Sequence, residues 1–265
     1  MSVVALCYHG VSPTWRSPMA VTPRQLEAQV THFLRRGHRP ATVAEAVSAP
    51  PGRRLLVVTF DDALASVHRL ALPVLERLGV VATVYAPTAY VFSGERMHWP
   101  EVRHHLLGPD AAELDPMTPA QLVDVAARGW EVGAHTCTHP WLPELDDDEL
   151  RTELVESRVA LERLLDRPCA SIAYPFGAHD DRVVRAAEAA GYATGVTLPG
   201  GAPRWPAAPV GRRRLTLPRI GVYRADGPLR YRLKVGAAGR VVRRPKAISR
   251  RRPTASPANV HTPRA

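Results

Sequence analysis

The chain has 265 residues, an apolar fraction of 45% and a net charge of +10, so it can bury one full hydrophobic core plus a tail, and its length does not require two domains. Its three cysteines are odd in number and form no CxxC pair, which argues against a disulfide framework and favours a reducing compartment. The first residues are a poor match to a signal peptide, and no apolar run reaches the roughly 20 residues of a membrane span. We therefore expect a cytoplasmic protein.

Strand-like and helix-like segments alternate along the chain. The strand-like segments are apolar and rich in β-branched residues, as expected for strands buried on both faces. In chain order they cover residues 3–8, 55–60, 81–87, 130–135, 171–175, 192–198 and 215–223. Apolar residues at helical spacing, with Thr-Pro or acidic starts and Gly stops, predict helices over 22–37, 118–129, 146–166 and 180–191, and another that ends just before Val80. This β/α alternation predicts an α/β fold with a mainly parallel sheet, closed or nearly closed into a barrel.

The excess positive charge lies in the last quarter of the chain. Residues 203–265 contain 15 arginines and 2 lysines against one acid, a net charge of +16, which leaves −6 for residues 1–202. From about residue 240 the sequence is rich in Pro and Arg without apolar periodicity, so we expect a disordered basic tail over 236–265. Such a tail is suited to an anionic membrane surface. Without aromatic interleaving or a recognisable binding motif, nucleic acid is not a favoured partner.

Two groups of reactive side chains directly follow predicted strands. Asp61 and Asp62 end the segment TFDD, and His135 and His139 begin and end the segment HTCTH. Because the carboxyl ends of parallel strands share one face of a barrel, the two segments can converge there. Two imidazoles and one carboxylate then form a catalytic metal arrangement, with the spare carboxylate as a general base. Taken singly, each group has a structural alternative: aspartates that cap the next helix, and histidines that are unrelated surface or capping residues.

In combination, these motifs resemble those of the NodB-type polysaccharide deacetylases, carbohydrate esterase family 4, in the branch that contains YPxG. TFDD (59–62) and HTCTH (135–139) match two motifs of that family, and AYPFG (173–177) is similar to a third. LCYHGVS near the N-terminus and LPRI (217–220) look like the branch that acts on exported or lipid-linked glycans. The resemblance covers residues 1–235, which we treat as one domain, and implies a deformed (β/α)7 barrel.

The resemblance also implies an activity and a role for each matching residue. The activity is removal of N-acetyl groups from N-acetylhexosamine units of a glycan, an oligosaccharide or a lipid-linked sugar. Asp61 would be the general base, and the main-chain N–H of Tyr174 would contact the oxyanion. Asp62, His135 and His139 would hold one divalent ion, with Zn²⁺ expected and Co²⁺ or Ni²⁺ as alternatives.

Three features depart from the family pattern. Ala63 stands where glycine usually follows TFDD, which matters if this position needs a positive φ. Ala173 stands where many members carry an arginine that orients the base; Arg219 is the substitute candidate, with an ordinary salt bridge as the alternative. The late L-x-H motif, whose histidine protonates the leaving amine, is absent, since the only histidine after residue 179 is His261. His9 could be the acid or a hydrogen-bonded structural residue, so the acid stays unassigned.

These departures leave a second function open, a catalytically impaired relative that binds sugar or metal without turnover. Trp99, Trp141 and Trp205 are candidates for a sugar-stacking surface, with core or rim packing as the alternative.

Overall fold

A computed structural model describes residues 2–198, 205 and 209–236. The strands are β1 (Ser2–Tyr8), β2 (Gly10–Val11), β3 (Ala20–Val21), β4 (Arg39–Ala41), β5 (Arg54–Phe60), β6 (Thr83–Ala86), β7 (Glu131–Ala134), β8 (Ser171–Ala173), β9 (Thr194–Thr197), β10 (Leu217–Pro218) and β11 (Ile220–Gly221). The α-helices are α1 (Pro23–Leu34), α2 (Val43–Ser48), α3 (Leu72–Arg77), α4 (Thr88–Ser93), α5 (Pro119–Ala127), α6 (Asp147–Leu165), α7 (Asp181–Ala189) and α8 (Pro228–Val235).

The main sheet is a barrel of parallel strands. Its order is β10-β9-β8-β7-β6-β5-β1-β11, and each neighbouring pair in this order is parallel. β4 lies outside this path and pairs with the first half of β5, whereas the end of β5 pairs with β6. The short β10 and β11 share the seventh strand position, so the expected deformed (β/α)7 barrel is confirmed.

The segment that closes the barrel is not the single strand predicted over 215–223. β10 pairs with β9, β11 pairs with β1, and Arg219 lies between them. Pro218 has no N–H with which to continue a ladder, and the Arg219 N–H donates to Thr197 O at 3.1 Å. The chain therefore changes its partner strand at Arg219, whose side chain is fully buried.

The helix starts follow the sequence closely. Thr22, Thr118 and Asp146 are the N-caps of α1, α5 and α6, and each forms a capping box with the Gln or Glu three residues later. The helical pattern after TFDD is less regular, because a π-helical turn over Val67–Ala71 precedes α3. Pro73, near the start of α3, lacks an N–H and crowds the carbonyl four residues earlier, which accounts for the widened turn.

Alternate residues of β1 and β5 face the inside of the barrel, as the period of two in a strand requires. The inner apolar cluster contains Val3, Ala5, Leu55 and Val57, and the outer cluster contains Leu6, Tyr8, Leu56 and Val58. Cys7 and Thr59 are paired in register and continue the inner series. The next inner positions are His9 and Asp61, so both strands deliver polar side chains to the mouth of the barrel.

Within the described ranges, no helix combines the length and the apolar character that crossing a membrane requires. α8 ends at Val235, next to the boundary predicted for the domain. The tail predicted over 236–265 lies, beyond residue 236, outside the described residues.

Candidate active site

Asp61 and Asp62 lie at the barrel mouth directly after β5, and each is only 2% exposed. Asp61 continues the strand, since its N–H donates to Tyr8 O at 2.9 Å. Asp62 and Ala63 then adopt left-handed conformations, with φ of 69° and 47°, and this turn keeps the second carboxylate at the same mouth. Helical residues begin at Ala65, three residues after Asp62, so neither aspartate is the cap of the next helix.

The alanine that replaces the family's glycine occupies a position with positive φ. A non-glycine residue in the left-handed region costs about 1–2 kcal/mol, because its Cβ approaches the following carbonyl oxygen. Ala63 is fully buried, and its carbonyl accepts a hydrogen bond from the Met117 N–H at 2.7 Å. Such strain persists where the surroundings fix the conformation, and here it belongs to the turn that places Asp62.

His135 and His139 flank the turn that follows β7. His135 Nδ1 lies 2.7 Å from Ala173 O, so this nitrogen is the protonated one and the lone pair of Nε2 is left for a metal. The Nε2 atoms of His135 and His139 lie 3.4 and 3.5 Å from Asp62 Oδ1. The three potential ligand atoms all lie within 4.8 Å of one another, so the residues predicted to hold a metal converge.

The chemistry of these three groups fits a divalent ion. Asp62 Oδ1 is buried and makes no hydrogen bond to a described residue, which is costly unless a cation compensates it. Burial and the neighbouring His135 lower the pKa of His139 to about 3, so His139 is neutral, the form that binds metals. Burial alone would lower the pKa of His135, but the Asp62 carboxylate raises it. Two imidazole nitrogens and one carboxylate oxygen are an established ligand set for Zn²⁺.

Asp61 does not share in this cluster of ligands, because Arg219 occupies both of its oxygens. Arg219 Nη1 donates to Asp61 Oδ1 at 2.6 Å and Nη2 donates to Oδ2 at 2.8 Å. Nη1 also donates to Thr59 Oγ1 at 2.8 Å. Burial alone would raise the pKa of Asp61, but the guanidinium holds it well below its usual range. The predicted base is thus ionised at neutral pH and fixed by an arginine from the closing segment, where Ala173 offers none.

The main-chain N–H of Tyr174, predicted to contact the oxyanion, already has a hydrogen-bond acceptor in this structure. This N–H donates to Val196 O at 3.3 Å, inside the barrel wall. Phe176, two residues later, has a left-handed φ of 59°, and its ring centre lies 4.6 Å from that of His139. Among the described residues the N–H of Phe176 has no backbone acceptor. Phe176 therefore offers the main-chain donor of this motif that remains available beside the histidines.

His9 lies near Asp61, directly after the neighbouring strand β1. Potential ligand atoms of Cys7, His9 and Asp61 lie within 4.8 Å of one another, and Cys7 Sγ donates to Asp61 Oδ2 at 3.3 Å. His9 Nδ1 is buried without a hydrogen-bond partner in the described part of the chain. A fully hydrogen-bonded structural histidine, the alternative considered from sequence, is therefore not what the geometry shows.

An aromatic cleft of about 450 Å³ opens beside His139. Trp99 stacks on the His139 ring at 4.0 Å, and Trp141 stacks on Phe176 at 4.6 Å. Both tryptophans line the cleft. Trp205 does not, because it is buried in the inner apolar cluster and its Nε1 donates to a main-chain carbonyl at 2.9 Å. Of the three tryptophans considered for sugar stacking, Trp141 is the partly exposed one, whereas Trp99 is 6% exposed and packs in the apolar core.

Comparison with known proteins identifies the family. The family model described as polysaccharide deacetylase matches residues 48–195, more than half of the chain. The protein YxkH of Bacillus subtilis (strain 168) is 25% identical to this chain over 205 residues, which cover 75% of this chain and 66% of that protein. The chain therefore spans just under two thirds of the length of this relative.

Solved structures share the fold. A polysaccharide deacetylase from Bacillus cereus superposes with a TM-score of 0.72 at 22% identity, and the alignment covers 89% of this chain and 69% of that chain. The Streptococcus pyogenes deacetylase PplD, solved in complex with acetate, superposes with a TM-score of 0.69 at 22% identity. The alignment covers 87% of this chain and 95% of PplD. The motifs TFDD, HTCTH and AYPFG all fall inside the stretch that the family model matches. The chain belongs to the polysaccharide deacetylase family.

Proposed function

We propose that the protein is a metal-dependent hydrolase that removes N-acetyl groups from N-acetylhexosamine units of a glycan, oligosaccharide or lipid-linked sugar. The proposal rests on one observation: two adjacent carboxylates at the same mouth of the barrel have different surroundings. Asp62 and the imidazoles of His135 and His139 are arranged as ligands of one metal ion would be. Asp61 lies beside Asp62 as a buried, ionised carboxylate.

The residues divide the chemistry between them. A divalent ion held by Asp62, His135 and His139 would polarise the acetamide carbonyl and lower the pKa of a water molecule. Asp61 accepts the proton of the attacking water, and the bidentate Arg219 keeps its carboxylate in one orientation throughout. Acetate and the free sugar amine are the products.

Two further groups complete the proposed reaction. The main-chain N–H of Phe176 stabilises the developing oxyanion, in the place first assigned to Tyr174, and such contacts are worth several kcal/mol in hydrolases. His9 protonates the leaving amine, because it lies at the mouth beside Asp61 and the described residues leave its Nδ1 unpaired.

The alternative function is a relative that binds sugar or metal without turnover. The missing late histidine and the missing arginine of the third motif favour it. Against it stands the Asp61–Arg219 pair, since a binding protein has no use for a buried, oriented base beside its metal. If His9 is the general acid, the missing late histidine no longer favours the alternative function.

The first experiment measures acetate release. Substrates are N-acetylglucosamine oligomers and lipid-linked N-acetylglucosamine, and the enzyme is stripped of metal and then restored with Zn²⁺, Co²⁺ or Ni²⁺. We expect release only with metal, and we expect Asp61→Asn to lose turnover while it retains metal binding. Stoichiometric metal binding with no release from any substrate would favour the binding relative.

A second experiment isolates the acid. His9→Gln should slow hydrolysis of the acetamide by about 10²–10⁴-fold, but it should slow hydrolysis of 4-nitrophenyl acetate far less, because that leaving group needs no proton. Equal losses on both substrates would remove His9 from this role.

We also propose that the protein associates with anionic membrane surfaces through its C-terminal end. Residues 237–265 contain seven arginines and one lysine and no acid. Leu229 and Leu233, one turn apart on α8, are 73% and 50% exposed, and Arg232 between them is exposed as well. An apolar pair flanked by basic residues is suited to the boundary between headgroups and acyl chains.

Vesicle binding tests this association. Both a truncation after residue 236 and the double substitution Leu229→Ser with Leu233→Ser should weaken co-sedimentation with vesicles that contain phosphatidylserine. Leu107→Ser is the control, since Leu107 is 95% exposed elsewhere on the surface. Equal binding by all four proteins would exclude the proposal.

A further inference from the structure

The turn that carries His139 is conformationally demanding. Thr136 and His139 both have a φ of 64°, although neither is a glycine, and residues with a Cβ rarely adopt this left-handed conformation. The His139 N–H donates to Thr136 Oγ1 at 3.1 Å, which closes the turn on itself. The ring of His139 reaches Asp62 only if this disfavoured turn is kept, so something outside the turn must hold it.

Two elements hold the turn from opposite sides. On one side, the first residues of α4 act on its carbonyls: Thr88 N donates to Thr136 O at 3.1 Å, and Ala89 N donates to Cys137 O at 3.0 Å. On the other side, a single carboxylate accepts hydrogen bonds from main-chain N–H groups of the turn. That carboxylate is the side chain of Glu153, which belongs to α6.

Glu153 makes three hydrogen bonds to two adjacent residues of the turn. Its Oε2 accepts from Cys137 N at 2.7 Å and from Thr138 N at 3.0 Å. Its Oε1 accepts from Thr138 Oγ1 at 2.6 Å. Hydrogen bonds to an ionised acceptor are shorter and stronger than neutral ones, and these distances agree with that. Glu153 thus satisfies the N–H groups of two of the three residues between the histidines, Cys137 and Thr138.

Glu153 is itself held by a rigid element. α6 buries Leu150 and Leu154 on either side of it, and Ser157 Oγ donates to Glu153 O at 2.7 Å and lies 3.1 Å from Tyr192 OH. The carboxylate therefore comes from a packed helix and not from a mobile loop. A partner of this kind can transmit position to the turn.

We propose that Glu153 is a positioning residue of the metal centre. It is not one of the three residues that would hold the ion. It acts through Cys137 and Thr138, whose amides it fixes, and so sets the place of His139 relative to Asp62 and His135. The inference rests on the metal site of the proposed function. Partners that orient ligands from outside the coordination sphere typically change metal affinity by about 10–100-fold.

The test measures metal affinity and ligand geometry, not turnover. Co²⁺ is titrated into metal-stripped wild type, Glu153→Ala, Glu153→Gln and Glu156→Ala, and both the dissociation constant and the visible absorption of the bound ion are recorded. Glu156 is the matched control: it is exposed on the same helix, and its charge also acts on Cys137, but it makes no hydrogen bond to the turn. Amide hydrogen exchange of Cys137 and Thr138 is followed in the metal-free proteins.

We expect Glu153→Ala to weaken Co²⁺ binding at least tenfold, to alter the absorption of the bound ion and to accelerate exchange of the two amides. Glu153→Gln, which keeps an acceptor oxygen, should recover part of the affinity, and Glu156→Ala should match wild type. Affinity of Glu153→Ala within twofold of wild type, or an equal loss in Glu156→Ala, would overturn the positioning role while the metal site stands. Failure of wild type itself to bind Co²⁺ would overturn the metal site and this role together.

Discussion

The buried ion pair between Asp61 and Arg219 makes a large stability effect predictable. Arg219 has no exposed surface, and Asp61 is 2% exposed. Arg219→Met would remove the guanidinium at roughly constant volume and leave a buried carboxylate without its cation, while Thr59 Oγ1 would lose the donor that reaches it. Removal of one partner of a buried pair typically costs about 3–5 kcal/mol. For a domain of this size, that corresponds to a fall in Tm of roughly 6–20 °C.

The assay is equilibrium unfolding in urea of the metal-free protein, so that no ion compensates the carboxylate. Arg128→Met is the matched control. Arg128 also forms a two-oxygen contact, through its Nε to Asp124, but both partners are more than a third exposed, so we expect a much smaller loss than in Arg219→Met. A loss of less than about 1 kcal/mol in Arg219→Met would refute the reasoning.

The double variant Asp61→Asn with Arg219→Met separates the pair from the packing. Each single variant leaves one uncompensated buried charge, whereas the double variant leaves none. We therefore expect the double variant to be more stable than the sum of the single losses predicts, by an interaction energy of about 2–3 kcal/mol. Additive losses would mean that packing, and not charge, dominates at this position.

The same pair gives a pH signature. The native pKa of Asp61 lies well below its usual value, which is about 3.9 in unfolded chains. Between these two values the unfolded state binds more protons than the native state. The stability contributed by the pair is therefore complete above about pH 4 and is lost as pH falls through the native pKa. Arg219→Met should lack this acid-dependent loss, and parallel acid curves for the two proteins would contradict the assignment.

Two further predictions concern titration and the C-terminal helix. The pKa of His135 is raised above its usual value of 6.5, yet a metal needs its neutral form, so Zn²⁺ binding near neutral pH should release a proton, and affinity should increase with pH until His135 is deprotonated. Calorimetry in buffers of different ionisation enthalpy measures this release, and a buffer-independent heat would contradict it. Asp226, which is buried and accepts from Lys234 at 2.6 Å and from Tyr223 N at 2.9 Å, holds α8 to the barrel, so Asp226→Ala should cost about 1–3 kcal/mol in urea unfolding.

Local patterns were sufficient to predict the barrel and the proximity of Asp62, His135 and His139. The positions of β1, β5, β6, β7, β8 and β9, the helix N-caps and the convergence of TFDD with HTCTH follow from periodicity, from capping residues and from the shared face of parallel strands. The strand predicted over 215–223 does not, because it is divided into β10 and β11. His9 could also have been placed, because it is two residues beyond Cys7, and the inward series of β1 continues through it. That inference needed only the alternation of the strand and its register with β5.

Other features depend on contacts that the sequence does not show. Tyr174 was assigned by motif matching, but whether a main-chain N–H points into the wall or the mouth depends on the left-handed residue that follows at Phe176. Trp205 has the aromatic side chain expected of a sugar-stacking residue, yet it packs in the interior of the barrel. Glu153 lies 14 residues after His139 in a helix whose pattern predicted only an amphipathic surface, so no local signal marked it.

The ion pair also explains why two adjacent carboxylates can serve different purposes. Asp61 and Asp62 follow the same strand, are equally buried and repel each other, so without further contacts both would compete for one cation. Arg219 removes this ambiguity, because it engages both oxygens of Asp61 and leaves Asp62 Oδ1 as the unpaired oxygen facing the two imidazoles. The charge of Asp61 is balanced by the guanidinium, and the charge of Asp62 is left for the divalent ion that we propose. Since Arg219 sits where the barrel closes, closure of the barrel and the division of roles between the two carboxylates depend on the same residue.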